Sequence, residues 1–189
     1  MEITNIKACA IYTLLVGVLF AITPVQSWGD SFYEVSIAGG ERQLDIFRKA
    51  ASADVDDAAY IGLSLAAYRK SGDNSAWGGV IEILSPIGRD NTIGSGRILG
   101  FRPVNYLLDW NQWLSTELFM GAAQYNWIIN ASGYYLGGNV RYRFGGRGRY
   151  ALGVDYKYFQ DLAHDGGPGG DQIIDGPALS VQLHYRFGQ

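Results

Sequence analysis

The residues just before the C-terminal Gly188-Gln189 pair alternate strictly between two kinds of side chain. From Gly176 to Phe187, one parity is apolar or aromatic throughout: Pro177, Leu179, Val181, Leu183, Tyr185 and Phe187. The other parity is small, polar or charged: Ala178, Ser180, Gln182, His184 and Arg186. A period of two places successive side chains on opposite faces of a β-strand. Because about 11 residues let a tilted strand cross a bilayer, the segment predicts a membrane-crossing strand whose polar face lines a lumen.

Seven earlier segments show the same alternation. Together with the last, the predicted strands are 32–40, 60–70, 77–87, 97–108, 113–124, 133–144, 150–159 and 176–187. In the fourth strand the alternation changes phase at Pro103, which predicts a bulge. An even number of strands with alternating short and long connections is typical of outer-membrane barrels. The predicted fold is therefore all-β, an eight-stranded antiparallel up-and-down transmembrane β-barrel.

The two longest connections follow the first and the seventh predicted strands. One runs from Glu41 to Ala59, with a short helix expected near Leu44 to Ala51, and the other runs from Gln160 to Asp175. Outer-membrane barrels have short periplasmic turns and longer external loops. We therefore expect residues 41–59 and 160–175 to be external loops and to form any interaction surface.

The N-terminus has the features of a secretory signal peptide. Lys7 precedes an apolar run from Ala8 to Ile22, which is short for a spanning helix. Val25-Gln26-Ser27 then offers small or apolar residues ahead of a cleavage point. We expect residues 1–27 to be removed and residues 28–189 to form the barrel, with an uncleaved anchor as the alternative.

Composition excludes several function classes. The formal net charge is −3, and an acidic balance argues against a nucleic-acid partner. The single cysteine, Cys9, lies in the leader, so the mature chain has no thiol for catalysis or for a thiolate metal site. We expect no cofactor.

Alternation alone does not say which face of the strands is wet. A soluble eight-stranded barrel such as a lipocalin would turn the apolar faces inward. The leader, the asymmetry of the connections and the aromatic ends of the apolar faces favour a membrane barrel instead. The polar faces are also rich in Gly, Ala and Ser, which suit a narrow interior, whereas the large side chains of the opposite faces would crowd it.

The complete pattern resembles the small outer-membrane barrels of Gram-negative bacteria, the OmpA/OmpX/OmpW-like group. The resemblance covers the whole mature chain and includes a last strand that ends His184-Tyr185-Arg186-Phe187. It is one of pattern, and Gly188-Gln189 follow the aromatic on which family members usually end. It implies a location in the cell outer membrane and contact with outer-membrane lipid and lipopolysaccharide. It also implies insertion by the barrel-assembly machinery and a monomeric state.

The charged residues of the polar faces are the candidate functional residues. They are Glu34, Glu82, Arg102, Glu117, Arg141, Arg143, Asp155, Lys157, His184 and Arg186. Charges inside a small barrel must be paired, because unpaired burial costs several kcal/mol. We expect lumen ion pairs that plug the barrel, with Asp155 near Arg141 and Arg143 and with Glu34 near Arg186. A substrate path or proton relay is the alternative.

The last long connection contains weak candidates for metal binding. Gly166 to Asp171 is one copy of a Gly-Gly-x-Gly-x-Asp calcium repeat, which binds calcium when it is stacked in tandem. Oxygen or nitrogen ligands could come from Asp161, His164, Asp165, Asp171 and Asp175. A solvated loop without metal is the simpler interpretation.

The sequence predicts a structural or surface-interaction role, with two alternatives. One is a narrow channel for small solutes, and the other is a lipid A-modifying enzyme. The outer-membrane deacylases of this kind carry a His-x-Ser-Asn motif where this chain has Tyr158-Phe159-Gln160-Asp161. Ser180 and His184 share the inner face of the last strand but lie about 13 Å apart, too far for a nucleophile and its base. Catalytic residues are therefore not assigned.

Overall fold

A computed structural model describes residues 30–48, 51–87, 96–125, 132–145, 148–164 and 172–188. They form β1 (Ser31–Arg48), β2 (Ala51–Lys70), β3 (Ser75–Pro86), β4 (Ile98–Asp109), β5 (Leu114–Tyr125), β6 (Ser132–Phe144), β7 (Tyr150–His164) and β8 (Gln172–Phe187). Each strand pairs antiparallel with the next, and β8 pairs with β1, so the sheet closes on itself. The predicted eight-stranded up-and-down barrel is confirmed.

The expectation of a cleaved leader is not tested by this structure. The proposed leader, residues 1–27, lies outside the described residues, and its cleavage remains a prediction. Within the described ranges, no helix is long and apolar enough to cross a membrane.

The barrel has an apolar outer wall, and its buried charged side chains all point into the interior. On β8, Leu179, Val181 and Leu183 are exposed, whereas Ser180 and Gln182 between them are buried. The same parity holds on the other strands, where exposed Val, Ile, Leu and Tyr side chains alternate with buried small, charged or aromatic ones. A water-soluble barrel would have the opposite arrangement.

An aromatic girdle surrounds the end of the barrel where the short turns lie. Ring contacts at 5.2–6.2 Å between centroids connect Phe144, Tyr150, Tyr185, Phe187 and Tyr33 in that order. The series crosses the seam between β8 and β1. The girdle continues on the remaining strands with two further pairs, Trp77–Tyr106 and Trp113–Tyr142. Aromatic girdles of this kind mark the membrane interfaces of transmembrane barrels.

The bulge expected at Pro103 is present. The pairing of β4 with β5 shifts register between Phe101 and Val104, and the opposing pairing with β3 shifts at the same level. Buried Asn105 donates from Nδ2 to the carbonyl of Arg102 at 2.9 Å and to that of Gly78 at 3.2 Å. Its side chain thus satisfies backbone acceptors where the ladder is interrupted.

The expected loop at 41–59, with a helix over 44–51, is wrong. β1 and β2 continue as a paired hairpin to Arg48 and Ala51, with one irregularity near the tip. The alternation also continues, with Arg42 and Leu44 inward and Glu41 and Gln43 outward. The sequence predicts a loop here because the outward side chains are polar. Strand pairing depends on backbone hydrogen bonds, however, and does not require apolar side chains.

The expected loop at 160–175 is wrong over 160–164 and 172–175, whereas residues 165–171 lie outside the described residues. β7 runs to His164 and β8 begins at Gln172, and their pairing resumes at Leu162↔Ile174 after a bulge. Asp161 occupies that bulge with a φ of 53°. The paired extensions 41–48 with 51–59, and 160–164 with 172–175, are called the tall hairpins below. They are neighbours, since β1 also pairs with β8 over this height.

The charged interior as candidate functional site

The structure places every predicted lumen residue inside the barrel. Glu34, Glu82, Arg102, Glu117, Arg141, Arg143, Asp155, Lys157, His184 and Arg186 are all buried. They come from seven of the eight strands, every strand except β2. They collect into two ionic clusters and one separate pair.

The first group, the Glu34 cluster, consists of Glu34, Glu117, Arg141, His184 and Arg186. Arg141 reaches across the lumen and donates from Nη1 to Glu34 Oε1 at 2.6 Å and from Nη2 to Glu117 Oε2. His184 Nδ1 lies 2.9 Å from Glu34 Oε1, and Arg186 Nη2 lies 3.6 Å from Glu34 Oε2. This cluster ties β1, β5, β6 and β8 together through the interior.

The Glu34 cluster includes one donor that the sequence did not suggest. The phenol of Tyr68, on β2, donates to Glu117 Oε1. Tyr68 stacks on Phe32 with centroids 5.0 Å apart, so an aromatic pair borders the ionic groups toward the turn end. Tyr68 lies two residues after Ala66 on β2 and therefore points to the same, inward face. The alternation of β2 could have identified it as an interior residue.

The second group, the Glu82 cluster, consists of Glu82, Arg102, Asp155 and Lys157. Glu82 Oε2 accepts from Lys157 Nζ at 2.8 Å and from Arg102 Nη2 at 3.3 Å. Lys157 Nζ also lies 3.2 Å from Asp155 Oδ1. Arg102 lies over the ring of Phe119 at 4.3 Å from its centroid, which covers the guanidinium with apolar surface.

Both clusters balance their charges. Each contains two carboxylates and two Lys or Arg side chains, so each is neutral when His184 is neutral. Balance matters because removing one member of a buried pair leaves an uncompensated charge, at a cost of about 3–5 kcal/mol. The two clusters therefore carry no net formal charge.

Asp155 does not lie where the sequence placed it. It pairs with Lys157, whereas Arg141 binds Glu34 and Glu117. Arg143 forms a two-contact ion pair with Asp109, with Nη1 2.9 Å from Oδ2. In the register of β6 and β7, Asp155 faces Asn139 and Arg141 faces Gly153, so the long arginine extends across the lumen rather than along the sheet.

A layer of apolar side chains fills the interior toward the tall hairpins. It contains Leu44, Tyr60, Leu84, Ile98, Phe119, Ala123, Tyr125, Tyr135, Phe159, Leu162, Ile174 and Ala178. The parity argument did not predict this layer, because it assigns small, polar or charged side chains to the inward face over its full length. Arg42 lies at the same end, where it donates from Nη1 to the carbonyl of Gly96 and faces the ring of Tyr125.

The turn end of the barrel is open to a cavity of about 420 Å³, called the vestibule. Its lining includes Phe32, Lys70, Asp109, Trp113, Arg143 and Arg186. Because Arg186 also belongs to the Glu34 cluster, the vestibule ends where the ionic layer begins. The interior is thus filled toward the tall hairpins and accessible from the turn end.

The structure tests the metal candidates only in part. Asp175 Oδ1 accepts from the backbone N–H of Asp161 at 2.6 Å. Asp165 and Asp171 lie outside the described residues, and so does the side chain of His164. Among the side chains that are described, no group of three or more could hold a metal ion. The metal site remains a prediction.

Ser180 and His184 have separate partners on the inner face of β8. His184 contacts Glu34 through Nδ1 and Asn139 through Nε2, at 2.9 and 3.5 Å. Ser180 Oγ lies 3.5 Å from Gln182 Nε2. Asn139 in turn donates from Nδ2 to Gln182 Oε1 at 3.1 Å, so this face of β8 is joined to β6 by a polar network.

Comparison with known proteins gives structural similarity only. No protein-family model matches the chain. No curated protein sequence matches it either. Neisserial surface protein A (NspA) is similar in structure with a TM-score of 0.50 and 11% identity, over 82% of this chain and 97% of that one.

Two further structures were found at lower TM-scores. Ail, the attachment invasion locus protein of Yersinia pestis, has a TM-score of 0.46 at 13% identity, over 82% of this chain and 98% of Ail. The outer membrane protein OprG from Pseudomonas aeruginosa has a TM-score of 0.47 at 12% identity, over 85% and 97% of the two chains. The chain has the fold of the small eight-stranded outer-membrane barrels.

Proposed function

We propose that this protein is an integral outer-membrane β-barrel with a structural or surface-interaction role. The observation that carries the proposal is the polarity of the barrel wall. Exposed apolar side chains surround the outside, and the ionic clusters lie within. A contiguous apolar surface of this size is not stable in water, whereas it suits the hydrocarbon of a bilayer. The similar structures include bacterial outer-membrane proteins, which supports the proposed location.

The height of the apolar surface supports the same proposal. On β8 the outward apolar series runs from Leu179 to Phe187, and Pro177 extends it by two residues. From Pro177 to Phe187 the strand is about 33 Å long, and a tilt of roughly 40° reduces its height to about 25 Å. This height equals the apolar band of outer-membrane barrels, about 25 Å.

Membrane fractionation with a gel-mobility assay tests this proposal. We expect the protein in the outer-membrane fraction, and we expect it to migrate differently in detergent gels before and after boiling. The folded barrel should resist unheated detergent because its backbone hydrogen bonds are all made within the closed sheet. Recovery in the soluble fraction, with one mobility at all temperatures, would contradict the proposal.

The surface-interaction role rests on the tall hairpins. The outward side chains of the β1–β2 hairpin change from apolar to polar, and Glu41, Gln43, Asp45 and Asp57 are exposed there, whereas Ile173 on the β7–β8 hairpin is an exposed apolar residue. An exposed polar sheet that continues from a lipid-facing wall lies in water and is accessible to partners. In this proposal, lipid and lipopolysaccharide surround the apolar wall, the barrel-assembly machinery inserts the chain, and the protein is a monomer.

We expect the purified barrel to form no large, steady pore. Side chains nearly fill an eight-stranded interior, and here the Glu34 cluster, the Glu82 cluster and the apolar layer occupy successive heights. Single-channel recording in a planar bilayer, with a general porin in the same bilayer as the positive control, measures this. Frequent porin-sized conductance steps from this protein would favour the narrow-channel alternative, for which the vestibule would be the entrance.

A further inference from the structure

The vestibule has the composition of a binding site for a small anion with an apolar part. Its charged lining residues are three cations, Lys70, Arg143 and Arg186, and two carboxylates, Asp73 and Asp109. Its apolar lining includes Phe32, Ala76 and Leu107. The volume of about 420 Å³ lies within the usual range of small-molecule sites, about 300–1,000 Å³.

The two arginines of the vestibule differ in how their donors are used. Arg143 is committed to Asp109 through both terminal nitrogens. Arg186 meets Glu34 only at 3.6 Å, which is a charge contact longer than a hydrogen bond. Its guanidinium lies over the ring of Phe32, 3.9 Å from the centroid. A guanidinium held by its face presents its N–H edge to a neighbouring group.

We propose that the vestibule binds a small carboxylate with an apolar or aromatic group, entering from the turn end. The carboxylate would accept from the edge of Arg186, since arginine and carboxylate form strong charge-assisted hydrogen bonds. Lys70, exposed at the mouth, would add attraction, and the apolar group would lie against Phe32 and Leu107. Arg186 can take part without breaking a short hydrogen bond, because its contact with Glu34 is long.

Titration of the refolded full barrel with 2-naphthoate tests the proposal. The indole N–H signal of Trp113, a vestibule residue, reports binding by NMR, and Trp113→Phe assigns it. We expect a saturable shift with 2-naphthoate. Arg186→Gln should weaken binding about tenfold or more, the effect of losing a charge-assisted hydrogen bond. The neutral analogue 2-naphthalenemethanol should bind to the unmodified protein as weakly as 2-naphthoate binds to the Arg186→Gln variant.

Two variants separate local binding from general effects. Arg149→Gln removes an exposed arginine at the same end of the barrel, outside the lining, and should leave the affinity unchanged. Lys70→Glu reverses an exposed charge at the mouth of the vestibule and should lower the affinity for 2-naphthoate severalfold. This variant tests the site even if the Arg186→Gln variant does not fold. The proposal is overturned by an absent or non-saturable shift, by equal binding of the neutral analogue, or by affinities that neither Arg186→Gln nor Lys70→Glu changes.

Discussion

Replacing Arg141 with methionine is expected to lower the free energy of unfolding by about 3–5 kcal/mol. Arg141 donates to Glu34 and to Glu117, and both carboxylates are buried in the closed interior. Methionine keeps much of the side-chain length but leaves one excess negative charge without its bridging cation. Urea unfolding in detergent micelles, followed by tryptophan fluorescence, measures the loss.

Two comparison variants show whether charge is the cause. Arg149→Met removes an exposed arginine and should change stability by no more than about 0.5 kcal/mol. Combining Arg141→Met with Glu117→Gln should recover part of the loss, because Glu34 and Arg186 then balance each other and the cluster is neutral again. If Arg141→Met alone costs less than about 1 kcal/mol, or if the double variant is less stable than Arg141→Met, the ionic bridge is not what holds these strands together.

The sequence predicted the barrel because lipid enforces a strict pattern on its wall. A lipid-facing strand must be apolar at every second residue, and β8 satisfies this from Pro177 to Phe187. The register shift at Pro103 could be predicted for a related reason. A change of phase in the alternation requires an extra residue on one strand, which is a β-bulge. Strand count, wall polarity and the bulge all follow from side-chain parity.

The tall hairpins were missed because the polarity of the two faces inverts along the same strands. On β1, Val35 and Ile37 face outward, yet Leu44 faces inward and Glu41 and Gln43 face outward. β8 shows the change only on its inner face, since Ile174 is buried in the apolar layer while Ile173 is exposed. In the proposed membrane orientation this part of the outer face lies beyond the lipid and meets water, so the wall takes the arrangement of a soluble barrel. Extending the parity of Glu34 and Ser36 through Gly40 would have predicted this continuation.

The partners within the ionic clusters could not be predicted from parity. Parity assigns a residue to a face, but a long side chain inside a narrow barrel reaches strands across the lumen as easily as the adjacent ones. Arg141 on β6 thus binds Glu34 on β1, and Lys157 on β7 binds Glu82 on β3. Neither pair belongs to neighbouring strands. The stagger of the closed sheet determines which residues share a height, and the sequence does not display it.

Leu183→Arg is expected to destabilise the barrel by about 2–4 kcal/mol in lipid vesicles. Leu183 is 47% exposed on the outer wall, and its partners in register are Ile37 on β1 and Leu152 on β7, which are both exposed as well. An arginine at this height would lie in hydrocarbon near the middle of the proposed span. The measurement is the fraction of folded protein as a function of urea, read from the mobility difference between folded and unfolded forms.

The matched control is Gln43→Arg, which also points outward but lies on the tall hairpins, beyond the change of polarity. Near or outside the interface an arginine costs only about 0–1 kcal/mol. Gln182→Arg is a poor control, although it faces inward, because Gln182 is buried and accepts a hydrogen bond from Asn139. Equal stability of the Leu183→Arg and Gln43→Arg variants would show that Leu183 does not face lipid. A penalty confined to Leu183→Arg would locate the bilayer between the aromatic girdle and Gly40.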